Sequence, residues 1–191
     1  MKEENAKRLE ELKIDGHDYV DLGLPNGLKW ATCNVGANSP EEYGYYYAWG
    51  EVKTKDTYTE ESSATYNKSM SDISGKPTYD VARKKWGSSW RLPTRAEFQE
   101  LQDKCRWECT TQNGKMGYKV TGPNGNSIFL PAAGYRFLSS LNSSGEIGNY
   151  WSSTPDESND DNAYKLCFSS SSHFVGWSRR GNGLSVRPVS E

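Results

Sequence analysis

Between residues 94 and 130 the hydrophobic period of the chain changes once, and that change limits the folds open to it. Thr94-Arg95-Ala96-Glu97 reads as a capping box: a threonine hydroxyl for the N3 amide and a glutamate three residues on for the cap's own N–H. Phe98, Leu101 and Cys105 follow at i, i+3 and i+7, so a helix over 95–104 turns one apolar stripe inward. From Trp107 the period becomes two. Strands are expected over 106–111, 117–121 and 127–130, separated by Asn113-Gly114 and by Pro123-Asn124-Gly125-Asn126. A single helix feeding a β-meander excludes a helix bundle and a repeated βαβ architecture.

The flanking segments extend the pattern. Residues 19–24 and 28–34 read as strands joined by the Pro25-Asn26-Gly27 turn. Residues 43–49 (YGYYYAW) are strand-like and aromatic, suited to core packing or to a stacking platform for a sugar or base. Residues 50–76 are polar and aperiodic, a long excursion over the surface. Residues 78–86 (TYDVARKKW) read as a second short helix stopped by Gly87. Residues 138–148 read as a Ser/Gly-rich loop. Residues 1–14 (MKEENAKRLEELKI) form an amphipathic pattern, giving an N-terminal helical arm that packs, oligomerises or is merely solvated. The expected organisation is therefore that arm, 1–14, followed by one domain over 15–191.

Composition narrows the function classes. The 191 residues carry a net charge of -2, which calls for neither nucleic acid nor an anionic membrane as partner. No apolar run is long enough to span a bilayer, and the charged first residues hold no signal-peptide core. The cysteines, Cys33, Cys105, Cys109 and Cys167, form no CxxC pair, and only His17 and His173 accompany them, so a zinc site of familiar spacing is not expected. They are free buried thiols, or two of them join distant segments.

The stretch 150–189 is the most unusual. Tyr150-Trp151, residues 163–168 and residues 184–189 read as strands. Between them lie mostly small polar residues with isolated aromatics and arginines. Serine and asparagine hydrogen-bond adaptably, while tyrosine, tryptophan and arginine supply rigid contact area at low entropic cost, as in antibody binding loops. This stretch is expected to be a displayed binding surface whose frame is Trp151, Leu166, Phe168 and 184–189. Catalytic constellations are sparse. There is no GxSxG, HExxH or phosphate loop, and Cys167 with His173 is the one pair that could be imagined as nucleophile and base. Asp156, Glu157, Asp160 and Asp161 form an acidic loop without EF-hand spacing. No enzyme activity, cofactor or metal is expected.

The segments VDLGLPNGLKWATCNVGA, WGSSWRLPTRAEF, GYKVTGPNGNSIFLPAAGYR and YWSSTP…AYKLCF…GLSVRPV resemble the Fibrobacter-type major paralogous domains. These are related in turn to the variable proteins of diversity-generating retroelements. The resemblance covers nearly all of residues 19–189. It implies an α+β, C-type lectin-like fold of the formylglycine-generating-enzyme type, with short antiparallel strands, two helices and long loop excursions. It also implies a ligand-binding, receptor- or adhesin-like role toward a macromolecule, best a protein, displayed on a cell surface or virion. A non-diversified structural or adhesive module of the same scaffold is the alternative.

In such proteins adenine-directed mutagenesis rewrites codons near the C-terminus. The positions implied here are Ser152, Ser158, Asn159, Asp160, Asn162, Tyr164, Ser170, Ser172, His173, Val175, Gly176, Ser178, Arg179, Gly181 and Asn182. Trp177 joins them as a contact residue, although neither it nor Lys165 is reachable from such a codon, which groups both with the fixed frame. The triplets of calcium-dependent sugar-binding lectins are absent, and Cys167 lacks the second C-terminal cysteine of the copper-dependent formylglycine-generating enzymes.

Overall fold

The computed structural model describes residues 13–191. The expected arm over 1–14 lies outside them except for its last two residues, and these are strand. Lys13–Ile14 (β1) pairs with His17–Asp21 (β2), which pairs with Lys29–Ala31 (β3). The last strand of the chain, Val189–Ser190 (β13), inserts between β3 and Trp90–Arg91 (β4). A five-stranded sheet, β1-β2-β3-β13-β4, therefore holds both ends of the described chain together.

Two helices precede the meander. Val81–Trp86 (α1) starts later than its sequence pattern suggests, because Asp80 is its N-cap. The Asp80 carboxylate accepts from the amides of Gly75, Arg83 and Leu92 at 2.7–3.1 Å, so one buried side chain caps the helix and fastens two loops. Burial nevertheless pushes its pKa up, against those three bonds. Arg95–Lys104 (α2) is the helix expected, with both bonds of the capping box formed and Phe98 and Leu101 buried. Glu97 also receives the Arg91 guanidinium through both oxygens, tying the helix start to β4.

The meander follows as Arg106–Gln112 (β5), Lys115–Thr121 (β6) and Ser127–Pro131 (β7), in that order and antiparallel. A small hairpin, Tyr135–Phe137 (β8) with Ser140–Asn142 (β9), stands where the Ser/Gly composition predicts loop. Gly148–Pro155 (β10), Asn162–Ser169 (β11) and Ser172–Arg179 (β12) form the third large sheet.

The expected α+β, C-type lectin-like layout is not the one adopted. Among the described residues there are thirteen strands in antiparallel sheets and only two helices, six and ten residues long. The reason lies in what covers the core. One apolar cluster joins Leu22, Leu28, Trp30, Phe98, Val120, Leu130, Tyr150, Leu166 and Phe168, so it is walled mainly by strands, with α2 lying across β10–β12. A second gathers Tyr47, Trp49, Ile73, Val81, Trp90, Trp151, Leu184 and Val186, where loop residues and the one short helix α1 supply the cover. Trp30, Trp49, Trp90 and Trp151 are all fully buried. Three of them spend their indole N–H on carbonyls: Trp49 on Ser152, Trp151 on Tyr47 and Trp90 on Ile14.

Three local expectations also change. Residues 43–49 make one bridge, Tyr47 to Leu184, rather than a strand. Of 184–189 only Val189 enters a strand, while Leu184 and Ser185 form isolated bridges to Tyr47 and Tyr150. Their backbones are spent on separate partners, so no continuous ladder forms. The excursion over 50–76 has no helix or strand, yet it is tied down. Tyr58 Oη donates to the Tyr46 carbonyl at 2.6 Å, Thr65 Oγ1 to Trp49 at 2.7 Å, and Ile73 is fully buried.

Candidate functional site

The hairpin β11–β12 pairs along its whole length, from Asn162 opposite Arg179 to Ser169 opposite Ser172. Its second strand was not expected, since SHFVGWSR lacks clean apolar alternation. An edge strand needs none when its partner supplies the ladder and its faces are only partly covered. Paired residues share a face, so the register sorts the hairpin into two sides.

One side carries Tyr164, Leu166 and Phe168 with Trp177, Val175 and His173. It packs on α2 and on the meander. His173 is half-buried, its ring stacked on Trp107 with centroids 4.5 Å apart and edge-on to Tyr118. Burial lowers its pKa, and its Nδ1 has no partner. Val175 packs against the core. These two predicted contact residues therefore support the frame. Toward the other end the side opens. The Arg95 guanidinium lies 3.9 Å from the centre of the Tyr164 ring, and Trp177, opposite Tyr164, is 58% exposed.

The second side carries Lys165, Cys167 and Ser169 with Ser178, Gly176, Phe174 and Ser172. Phe174 is 49% exposed and was not singled out in the sequence. A side chain at Gly176 would meet its ring at 2.9 Å, so the ring lies along the strand over that glycine. Beside it Asn149, Lys165, Cys167, Ser178 and Asn182 line a pocket of about 280 Å³, closed by Tyr135, Ile147 and Leu184. Burial draws the Lys165 ammonium below its ordinary range and pushes the Cys167 thiol above its own. Cys167 and His173 face opposite sides of the sheet, so the nucleophile–base pair imagined from sequence does not assemble. All four cysteines are free. Among the described residues no three His, Cys, Asp or Glu side chains converge as a metal site.

The remaining predicted positions divide sharply. Ser158, Asn159 and Ser170 are exposed in loops, Ser172 and Arg179 are exposed on β12, and Asp160 and Asn182 are half-exposed. Asp156 organises the first loop, accepting from Ser158 N and Oγ and from Asn159 N through its carbonyl. Arg179 pairs with Glu60 of the excursion. By contrast Ser152, Asn162 and Ser178 are buried, which corrects their reading as displayed residues. Ser152 Oγ donates to the Tyr164 carbonyl at 2.8 Å, inside the β10–β11 join. Gly181 is equally unavailable: a Cβ there would sit 2.6 Å from the Thr59 carbonyl oxygen.

Two buried arginines tie the frame behind this surface; Arg187 falls within the expected frame 184–189, whereas Arg180 was grouped with the displayed residues. Arg180 is fully buried and donates to the carbonyls of Asn162, Thr65 and Lys68, with its guanidinium 4.6 Å from the Trp49 ring centre. Arg187, also fully buried, donates to Asn34 Oδ1 and to the carbonyls of Ala31 and Thr32. Their signal in the sequence was faint: each follows or precedes residues of strand type, but nothing local marks a buried cation.

No helix of the described residues is long and apolar enough to cross a membrane. No curated protein and no solved structure matches the chain. The family model described as the Lcl C-terminal domain matches residues 23–190, which takes in the meander, both buried arginines and the whole β10–β12 sheet. The chain belongs to the Lcl C-terminal domain family.

Proposed function

We propose that this chain is a non-enzymatic recognition module that presents a replaceable surface, built on β11, β12 and the two loops before and after them, to a macromolecular ligand, best a protein. The reading extends to a variable protein of the diversity-generating-retroelement type. The observation that carries it is the separation of surface from frame at single-residue resolution. Ser178 is buried, Arg179 is exposed and Arg180 is fully buried, on three consecutive positions. A surface organised this way changes its outward side chains without touching the bonds that hold the hairpin. Exposed aromatics of both sides, Phe174 and Trp177, supply the kind of anchors that dominate protein interfaces.

A library randomised at Ser158, Asn159, Ser170, Ser172, Phe174, Trp177 and Arg179 tests the reading directly. Most members are expected to fold with melting temperatures close to the parent, and panning on an immobilised protein such as egg-white lysozyme is expected to enrich binders. Widespread loss of folding would make these positions structural and end the proposal. The retroelement reading has its own check. DNA beside the gene should hold a reverse transcriptase and a near-copy of the segment encoding 150–189, with differences confined to adenines; a copy differing elsewhere refutes it.

A further inference from the structure

The pocket beneath β11 and β12 is rich in donors and has no acid to receive them. Lys165 is the only cation lining it. Its Nζ donates to Asn149 Oδ1, which uses one of three ammonium hydrogens. Among the described residues Lys165 joins no ion pair, and the neighbouring Cys167 thiol, its pKa pushed up by burial, offers no charge to pair with it. Asn149 is 2% exposed, and its amide nitrogen has no protein acceptor among the described residues. The Ser178 hydroxyl oxygen accepts from Asn182 Nδ2 at 3.2 Å, leaving its own hydrogen to donate.

Three kinds of donor thus face one space: an ammonium, a primary amide and a hydroxyl. A half-buried ammonium without a carboxylate costs stability, because desolvation is not offset by an opposite charge. The register explains why the space stays open. Gly176 stands opposite Lys165, and Phe174 lies over that glycine rather than filling the pocket. The floor and wall are supplied by Ile147, Leu184 and Tyr135, which suit a short alkyl stem.

We propose that this pocket takes a carboxylate on a short aliphatic stem, the anchoring acid of the ligand that the β11–β12 surface recognises; the proposal rests on the binding reading given above. The ammonium supplies charge, while Asn149 and Ser178 fix the orientation of the two oxygens. The acid comes from an acidic side chain or from a free chain end, which share this chemistry. Specificity arises because a neutral isostere leaves the ammonium unpaired.

Sodium propionate is the probe, followed by amide NMR shifts of the whole protein, with sodium chloride at matched ionic strength and propionamide as controls. Saturable shifts confined to Asn149, Lys165, Cys167, Ser178 and Asn182 are expected with propionate alone. Lys165→Met is expected to abolish them and to leave the melting temperature unchanged or raised, whereas Glu108→Gln, exposed on β5 away from the pocket, is expected to leave them intact. N-acetylglutamate amide and N-acetylglycine then separate the two sources, and tighter binding of either supports the pocket.

Equal shifts with propionamide, undiminished shifts in Lys165→Met, or a lowered melting temperature in that variant would each overturn it. The last would make Lys165 a structural tie to Asn149. Failure here leaves the tolerance of the exposed β12 positions untouched. Collapse of the randomised library with propionate still binding would remove the broader reading instead.

Discussion

Arg179 and Arg180 are chemically identical neighbours with opposite jobs, and replacing each by methionine separates them. Methionine keeps an unbranched apolar stem and removes the guanidinium. At position 180 the change removes bonds of 2.9, 3.0 and 2.6 Å to the carbonyls of Asn162, Thr65 and Lys68. Hydrogen bonds from a charged donor contribute about 1.5–3 kcal/mol each, so three at the low end total about 4.5 kcal/mol. Part is offset, since burial depresses the Arg180 pKa, which marks a desolvation cost, and Nη2 has no partner. The net loss is about 3 kcal/mol once relief of that desolvation is subtracted. For a domain of this size that lowers the melting temperature by about 6–12 °C.

Arg179→Met loses a surface ion pair to Glu60 and is expected to change stability by less than about 0.5 kcal/mol. Urea unfolding followed by tryptophan fluorescence, with thermal scans by circular dichroism, reads both variants. Arg180→Lys is expected to recover less than half of the loss, because one ammonium cannot span three carbonyls set around a planar fork. An Arg180→Met protein within about 0.5 kcal/mol of the parent would refute the reasoning: the excursion over 50–76 would then be held by its other ties.

Other consequences are simpler to state. Asp80→Ala removes a helix cap and orphans the amides of Gly75 and Leu92, and should cost about 2–4 kcal/mol by urea titration. Gly181→Ala meets the Thr59 carbonyl and should cost about 1–3 kcal/mol, whereas Ser170→Ala in the exposed loop should be neutral; equal effects would show that Gly181 has room. His17 and His173 both have pKa values lowered by burial, so the unfolded chain binds protons first. Stability should therefore fall as pH drops below about 6.5, the unfolded histidine value, and level off beneath the lowered folded values. The double variant His17→Gln, His173→Gln should flatten that part of the stability–pH curve, and an unchanged slope there would assign it to carboxylates.

The local chemistry of residues 94–131 was fully legible. A capping box depends on side chains three residues apart, and a meander on turns of two to four residues, so both are written within a short window. The frame residues Trp151, Leu166, Phe168 and Val186 could likewise be read from apolar identity and alternation, and all are buried. What failed was whatever depends on partners far away in the chain. The β12 strand exists because β11 offers it a ladder, and β8–β9 closes on itself across polar residues. The sequence carries too little apolar contrast to announce either.

Fold class failed for a related reason. The α+β, C-type lectin-like layout was implied by the resemblance, but whether helices form a layer depends on their length against the sheets they cover, and α1 is only six residues long. Sequence by itself determined the meander turns, the capping box of α2, the apolar anchors and the unusual polarity of 150–189. Only tertiary structure decided which polar residues of that stretch are surface. Ser152 and Ser158, or Arg179 and Arg180, are the same residue type a few positions apart. Their difference is whether a distant carbonyl waits at the end of the side chain, that of Tyr164 for Ser152 and those of Thr65 and Lys68 for Arg180, while Ser158 and Arg179 end at the exposed surface. A polar group is buried when distant backbone has unpaired acceptors to satisfy, and no local window contains that information.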